Sequence, residues 1–247
     1  MKISLCLFLM LLFQQLYAGE VYEKGMSALR SGDYQTGVQL IEQSAKEGDK
    51  EGQFTLACLL ETMNRYDLAI PWYEKAIAQG HAEAHVNLAT LYYGGLGTAK
   101  NYEKAYSLVK KGTDLGSKNG YTLLGMILFH GHGTPKDTKK GLDYYELAIQ
   151  ANNKDERALA DLGIIYTEGN ENVKKDIKKG MTYLENAASL GATNAQLELG
   201  FHYYQGAIVP KDWKKAYVYW AQAAKKGNPT AKENLASLCR QSPASCQ

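Results

Sequence analysis

A period in the mid-thirties constrains this chain more than any other feature. Its clearest copy is residues 195–227, AQLELGFHYYQGAIVPKDWKKAYVYWAQAAKKG, which reads as two amphipathic helices joined by a glycine turn. Counting back from Leu199, equivalent leucines stand at Leu162, Leu124, Leu88 and Leu56, in steps of 37, 38, 36 and 32, and Leu235 follows 36 further on. Glycines close the copies at Gly80, Gly116, Gly191 and Gly227, with Asn152 in the remaining slot. A two-helix unit repeated at this spacing predicts an all-α fold: an α-solenoid (right-handed superhelix) of about six helix-turn-helix repeats plus a C-terminal capping helix. The expected repeats are about 22–48, 49–80, 81–116, 117–152, 153–191 and 192–227, with the cap at 228–247. A lone hairpin has too few apolar anchors to offset its backbone entropy, so neighbouring units must supply the missing faces.

Within each copy the punctuation is local. From the third unit on, glycine turns at Gly94–Gly97, Gly131–Gly133, Gly169-Asn170 and Gly206 permit left-handed backbone at the end of the first helix. At Gly169 the turn is lengthened by an insertion through Val173. Each turn leads to an Asx residue, Asn101, Asp137, Asp176 or Asp212, placed to cap the second helix. Four residues later comes a small side chain, Ala105, Gly141, Gly180 or Ala216, and three beyond it Leu108, Tyr144, Tyr183 or Tyr219. Pro71 is expected near the start of a second helix, where a missing N–H costs least.

The run Leu199-Gly200, Tyr203, Gly206, Asp212, Lys215-Ala216, Ala223-Ala224, Gly227 resembles the Sel-one-like repeat, a relative of the tetratricopeptide repeat. The units at Leu88, Leu124 and Leu162 match it in part, and the two leading units are nearer tetratricopeptide length. The resemblance implies a non-enzymatic module that holds another protein on its surface.

The N-terminus belongs to a different pattern. Lys2 precedes the apolar run Ile3–Phe13, 11 residues and too short to span a bilayer, and Ala18 offers a small residue at a cleavage position. This predicts a signal peptide over 1–18, a domain over 19–247, and a periplasmic or secreted location with no transmembrane segment after cleavage. In an exported chain Cys239 and Cys246 are expected to form a terminal disulfide, and Cys58 to be a small buried thiol. The formal net charge of +2 argues against nucleic acid as a partner.

Several signals could carry function. The glycine turns follow helices rather than strands, which argues against phosphate loops, and no cofactor is implied. His81 and His85 have i, i+4 spacing, but His130 and His132 fall at the far end of the next first helix, so no shared metal site is expected. Lysines recur beside the Asx caps and predict a basic edge at Lys136, Lys140, Lys175, Lys179, Lys211 and Lys215, either a solvated rim or an anion-binding surface. A second stripe follows from helix geometry. Residues five and one before each motif leucine rotate roughly 100–140° from the core-facing direction. They include Glu51, Glu83, Asn87, Arg157, Asp161 and Glu198, with Tyr93, Phe129, His202 and Tyr204 at the border. Since first helices of such solenoids line the concave face, this stripe is the candidate partner-binding surface. Family members of this size, exported and without another domain, resemble immunity proteins that neutralise periplasm-acting toxins such as phospholipases, so the partner is expected to be a protein and could be a secreted toxin. A cell-envelope enzyme is the contrasting class, and no catalytic motif supports it.

Overall fold

A computed structural model describes residues 5–152 and 154–246, with side chains from Leu16 onward. Among them are thirteen α-helices and two short 3-10 turns, and the one extended pairing is an isolated bridge between Asn170 and Val173. The architecture is an all-α repeat fold. By contacts the chain divides into two units, one running through Ile127 and including Gly131–Lys136, the other comprising Leu128–His130 and Asp137 onward.

The first unit contains α1 (Leu5–Arg30), α2 (Tyr34–Lys46), α3 (Lys50–Thr62), α4 (Tyr66–Ala78), α5 (Ala82–Gly94), α6 (Tyr102–Asp114) and most of α7 (Tyr121–His130). Helices α1/α2, α3/α4 and α5/α6 form hairpins, and α2/α3 and α4/α5 join one hairpin to the next. The second unit contains the end of α7, then α8 (Thr138–Ala151), α9 (Glu156–Glu168), α10 (Ile177–Leu190), α11 (Thr193–Gln205), α12 (Trp213–Lys225) and α13 (Pro229–Gln241). There α9/α10 and α11/α12 are the hairpins, and α13 packs on α12.

The expected helix caps form. Asn101, Asp137, Asp176 and Asp212 each accept, at Oδ1, the N–H three residues on at 2.8–3.0 Å. A cap at this position satisfies one of the four donors that a helix start leaves unpaired. His81 does the same through Nδ1, which accepts from the Ala84 N–H at 3.2 Å.

Leu56, Leu88, Leu124, Leu162 and Leu199 are all buried, and so are the small residues Ala105, Gly141, Gly180 and Ala216. The residues three beyond those small ones are only half-buried. The large anchors lie one position further, at Val109, Tyr145, Leu184 and Trp220. Positions i and i+4 lie one above the other on a helix, so the small residue and the large anchor share one face.

Four details differ from the sequence expectation. The expected n-region with Lys2 lies outside the described residues, but from Leu5 the chain is one helix through Arg30, so Tyr22 stands inside a helix and not at its start. No proline interrupts this stretch, and the helix continues across the expected cleavage position. Ala18 is buried there, its carbonyl accepting from the Ser44 hydroxyl at 2.9 Å. Asn152 does not act as a closing glycine: its φ is −147°, and its side chain accepts from the Lys154 N–H instead. Pro71 lies inside α4, because the Asn64 turn is tight enough to start the helix at Tyr66. Cys58 is half-buried rather than enclosed.

At the C-terminus Cys239 and Cys246 are joined as a disulfide, tying α13 to the last 3-10 turn. No helix among the described residues is long and apolar enough to cross a membrane.

Candidate functional site

Several of the residues expected in the polar stripe are tied into the fold within their own unit. In the first unit, Glu51 Oε2 lies 3.3 Å from His81 Nε2, and Glu83 Oε2 lies 3.9 Å from His81 Nδ1. His85 Nδ1–H donates to the His81 carbonyl at 3.0 Å, so both rings are buried and engaged in holding the start of α5. Asn87 donates from Nδ2 to the Tyr73 hydroxyl at 3.1 Å and lies 3.6 Å from Cys58 Sγ, while the Tyr73 hydroxyl donates to Glu61 at 2.5 Å. Burial pushes the Cys58 thiol and the Tyr73 phenol up, which keeps both groups neutral. Tyr93 meets His132 Nδ1 through its hydroxyl at 2.8 Å, and Tyr102 stacks on that imidazole.

In the second unit the same register position is charged. The Tyr145 hydroxyl donates to Asp161 Oδ2 at 3.0 Å, whereas the Tyr73 hydroxyl accepts from Asn87 and gives its own proton to Glu61. Both pairs join a tyrosine on a second helix to the residue one before the next motif leucine. Where the second-helix position is Val109, the residue before the leucine is the apolar Leu123, and both are buried. Where it is Leu184, the residue is Glu198, a half-buried carboxylate facing an apolar register partner. Burial pushes the Glu198 carboxyl up, and the neighbouring Glu168 adds to this. His202, four residues on, has a fully enclosed Nε2 with no hydrogen-bond partner, and burial, then Lys175, pushes its pKa down.

The structure redistributes the remaining border residues. Phe129 is not available to a partner through its surface, being only 6% exposed. It belongs to Leu123–Phe129, seven consecutive buried residues, and a helix that is apolar all round is a buried helix. Tyr204 is half-buried, donating to Gln241 at 2.9 Å and stacking on Trp213. Arg157 is exposed. The sequence reading missed Ile164, Ile165 and Glu168, which lie beside Asp161 around a cavity; the signal for the pairing, a tyrosine four after a small residue followed by a polar residue before the next leucine, was present.

Asp161 makes a prediction about pH. Burial pushes its carboxyl up, partly offset by the Tyr145 hydrogen bond and Arg157. The folded chain therefore binds the proton more tightly than the unfolded chain. The cost of ionising Asp161 is absent below the unfolded carboxyl pKa and fully present above the raised folded value, so this site's contribution to stability falls as pH rises between them. Asp161→Asn, which retains an acceptor for Tyr145, is expected to remove that decline from a series of urea midpoints across acidic pH. A variant profile parallel to wild type would overturn the assignment.

The basic edge is partly consumed by tyrosines. Lys179 Nζ lies 4.0 Å from the Tyr166 ring centroid and donates to its hydroxyl at 2.8 Å, Lys215 Nζ lies 4.7 Å from Tyr203, and Lys104 Nζ lies 4.1 Å from Tyr92. All three tyrosines stand four beyond a motif leucine. The fourth such position is Leu128, which offers no π face, and Lys140 instead pairs with its own cap Asp137 at 3.2 Å. Lys211 Nζ sits 4.5 Å from the Trp213 ring. Lys136 and Lys175 are exposed. Among the described residues no group of three or more His, Cys, Asp or Glu is arranged to hold a metal ion.

Comparison with known proteins bears on this geometry. The Sel1 repeat pattern matches residues 14–49, 64–81, 82–117, 119–153, 156–191 and 193–228, in step with the hairpins from α5 on. Protein NMB1327 of Neisseria meningitidis serogroup B is 28% identical over 209 residues, 84% of this chain and 43% of the relative, so the chain spans less than half of that protein's length. The crystal structure of a Sel1 repeat protein from Oxalobacter formigenes superposes with a TM-score of 0.73 at 28% identity, covering 87% of this chain and 86% of the other. Immunity protein Pa5087 from Pseudomonas aeruginosa superposes with a TM-score of 0.50 at 27% identity, covering 74% and 67%. With matched repeats over most of its length and helix pairs in the corresponding register, the chain belongs to the Sel1 repeat family.

Proposed function

We propose that this chain is an exported, non-enzymatic protein-interaction module that works in the periplasm and holds a partner protein on the polar face of its first helices. One observation carries the reading: Glu198 is half-buried, its register partner Leu184 is apolar and buried, and among the described residues Glu198 forms no ion pair, so packing alone does not account for it. A polar group maintained at such a cost is expected where a partner completes it. Capture from an envelope extract by the immobilised chain, followed by mass spectrometry, identifies the partner. Glu83→Lys combined with Glu198→Lys is then expected to weaken that complex by at least about tenfold, or about 1.4 kcal/mol. Unchanged affinity in a variant with a wild-type circular dichroism spectrum would overturn the reading.

A second, narrower reading is that the partner is an antibacterial toxin acting in the periplasm. It is supported by the likeness to immunity protein Pa5087. Deleting the gene in a cell carrying a toxin gene beside it is expected to poison that cell, and unimpaired growth would count against it.

A further inference from the structure

The docked part of α1 begins where the sequence expects the chain to be cut. Leu16 and Tyr17 are 68% and 54% exposed, whereas Ala18 is 0% exposed and Val21 4%. Ala18 also makes a polar contact. Its carbonyl accepts from the Ser44 hydroxyl at 2.9 Å; Ser44 is fully buried, and that hydroxyl has no other partner among the described residues.

Cleavage after Ala18 removes the carbonyl and leaves the buried hydroxyl unpaired, which is costly unless another group takes its place. The same cut creates such a group, the α-ammonium of Gly19. A carbonyl oxygen and the next nitrogen of the chain are about 2.2 Å apart, so the Gly19 nitrogen lies within about 5 Å of Ser44 Oγ.

A carboxylate stands on the other side. Asp49 caps α3 through Oδ2, which accepts from the Gly52 N–H at 2.6 Å, while Oδ1 faces Gly19, 4.0 Å from where a Cβ on that glycine would stand. The Asp49 N–H donates to the Ser44 carbonyl at 3.1 Å, which holds the two residues side by side. Glu51 is already engaged by Lys50 and His81, but Asp49 forms no ion pair among the described residues. Glu20, Glu23 and Lys24 on α1 are the other charged groups around the groove at Gly19, and α2 contributes the uncharged Ser44. The shortened helix opposes a cation at its own start with a partial charge of about half a unit, against the full charge of Asp49.

We propose that Ser44 and Asp49 form an internal receptor for the α-ammonium that export processing creates at Gly19, which donates to Ser44 Oγ and Asp49 Oδ1. The proposal rests on the export reading and gives the first repeat a lock that closes only after processing.

The test uses the full chain expressed with its own N-terminus and purified from the envelope fraction, where intact mass and N-terminal sequencing establish the first residue. Competitive acetylation with acetic anhydride across pH, read on the N-terminal peptide by mass spectrometry, then titrates the α-amino group. Asp49→Asn, which keeps an acceptor for the Gly52 N–H, is expected to raise the acid dissociation constant of that amine by about tenfold or more, as loss of an adjacent opposite charge does. Ser44→Ala is expected to act in the same direction. The difference should vanish in urea, where the three chains titrate alike. Acetylating the amine is expected to lower the urea midpoint of wild type and to leave that of Asp49→Asn nearly unchanged. The receptor is overturned if the folded wild-type and variant amines titrate alike, if their difference persists in urea, or if acetylation leaves the wild-type midpoint where it was. An exported chain that begins at a residue other than Gly19, or at Gly19 with an amine indifferent to Asp49, sinks the receptor alone. A chain recovered uncut and outside the envelope sinks the receptor and the export reading together.

Discussion

Gly133→Ala is expected to lower the thermal midpoint by roughly 6–12 °C, far more than the same substitution at Gly116. Gly133 has φ +70°, and a Cβ there would fall inside the van der Waals limit of the Tyr102 carbonyl and the Glu103 nitrogen, at the start of α6. Gly97 repeats the arrangement one unit earlier, with φ +66° and a Cβ that would lie 2.5 Å from the Asp67 nitrogen at the start of α4. In each case the glycine turn of one repeat rests directly on the backbone that opens the second helix of the repeat before it. Two costs therefore add: left-handed backbone with a Cβ, about 1–2 kcal/mol, and overpacking against backbone that cannot rotate away, about 1–3 kcal/mol. A sum near 3 kcal/mol corresponds to that shift for a chain of this size. Gly116 has φ +98° and no atom within 4 Å of its would-be Cβ, so only the first cost applies. Equal midpoints for the two alanine variants, measured by calorimetry, would show that the turns do not dock on the preceding helix.

Trp220→Ala is expected to cost about 3–5 kcal/mol, the usual range for emptying a buried aromatic site. The indole is 2% exposed, donates from Nε1 to the Leu197 carbonyl at 3.1 Å, and lies so close to Gly200 that a Cβ there would overlap its ring. Gly200→Ala alone is therefore expected to destabilise by about 1–3 kcal/mol through overpacking. In a Trp220→Leu background, which clears the ring, most of that penalty should vanish, giving a coupling of about 1 kcal/mol or more in a double-mutant cycle. Additive denaturant midpoints would mean that the two helices adjust independently and that the pair is not a locked contact.

Much of the fold could be read from residues near each other in the chain. The caps at Asn101, Asp137, Asp176 and Asp212 need only a side chain and an N–H three residues away, so their spacing was sufficient. The buried leucines followed from periodicity. The anchors at Val109, Tyr145, Leu184 and Trp220 did not, because one residue is a rotation of about 100°, and the half-buried neighbours three beyond each small residue look as suitable by composition. Phe129 was misplaced by the same geometry, although the unbroken apolar run before it was a visible sign of burial.

The repeating unit is legible in the order of residues: its length, its caps, its turns and the leucines that must leave water. Packing between helices is what sets Lys104, Lys179 and Lys215 over tyrosine rings of the preceding helix, lets Asp161 accept from Tyr145, and leaves Phe129, Ile164, Ile165 and Glu168 around one small cavity. A cap or a periodic face is a relation along the chain. A cavity is space left over where side chains from three helices fail to fill a volume, and that remainder has no period for the sequence to display.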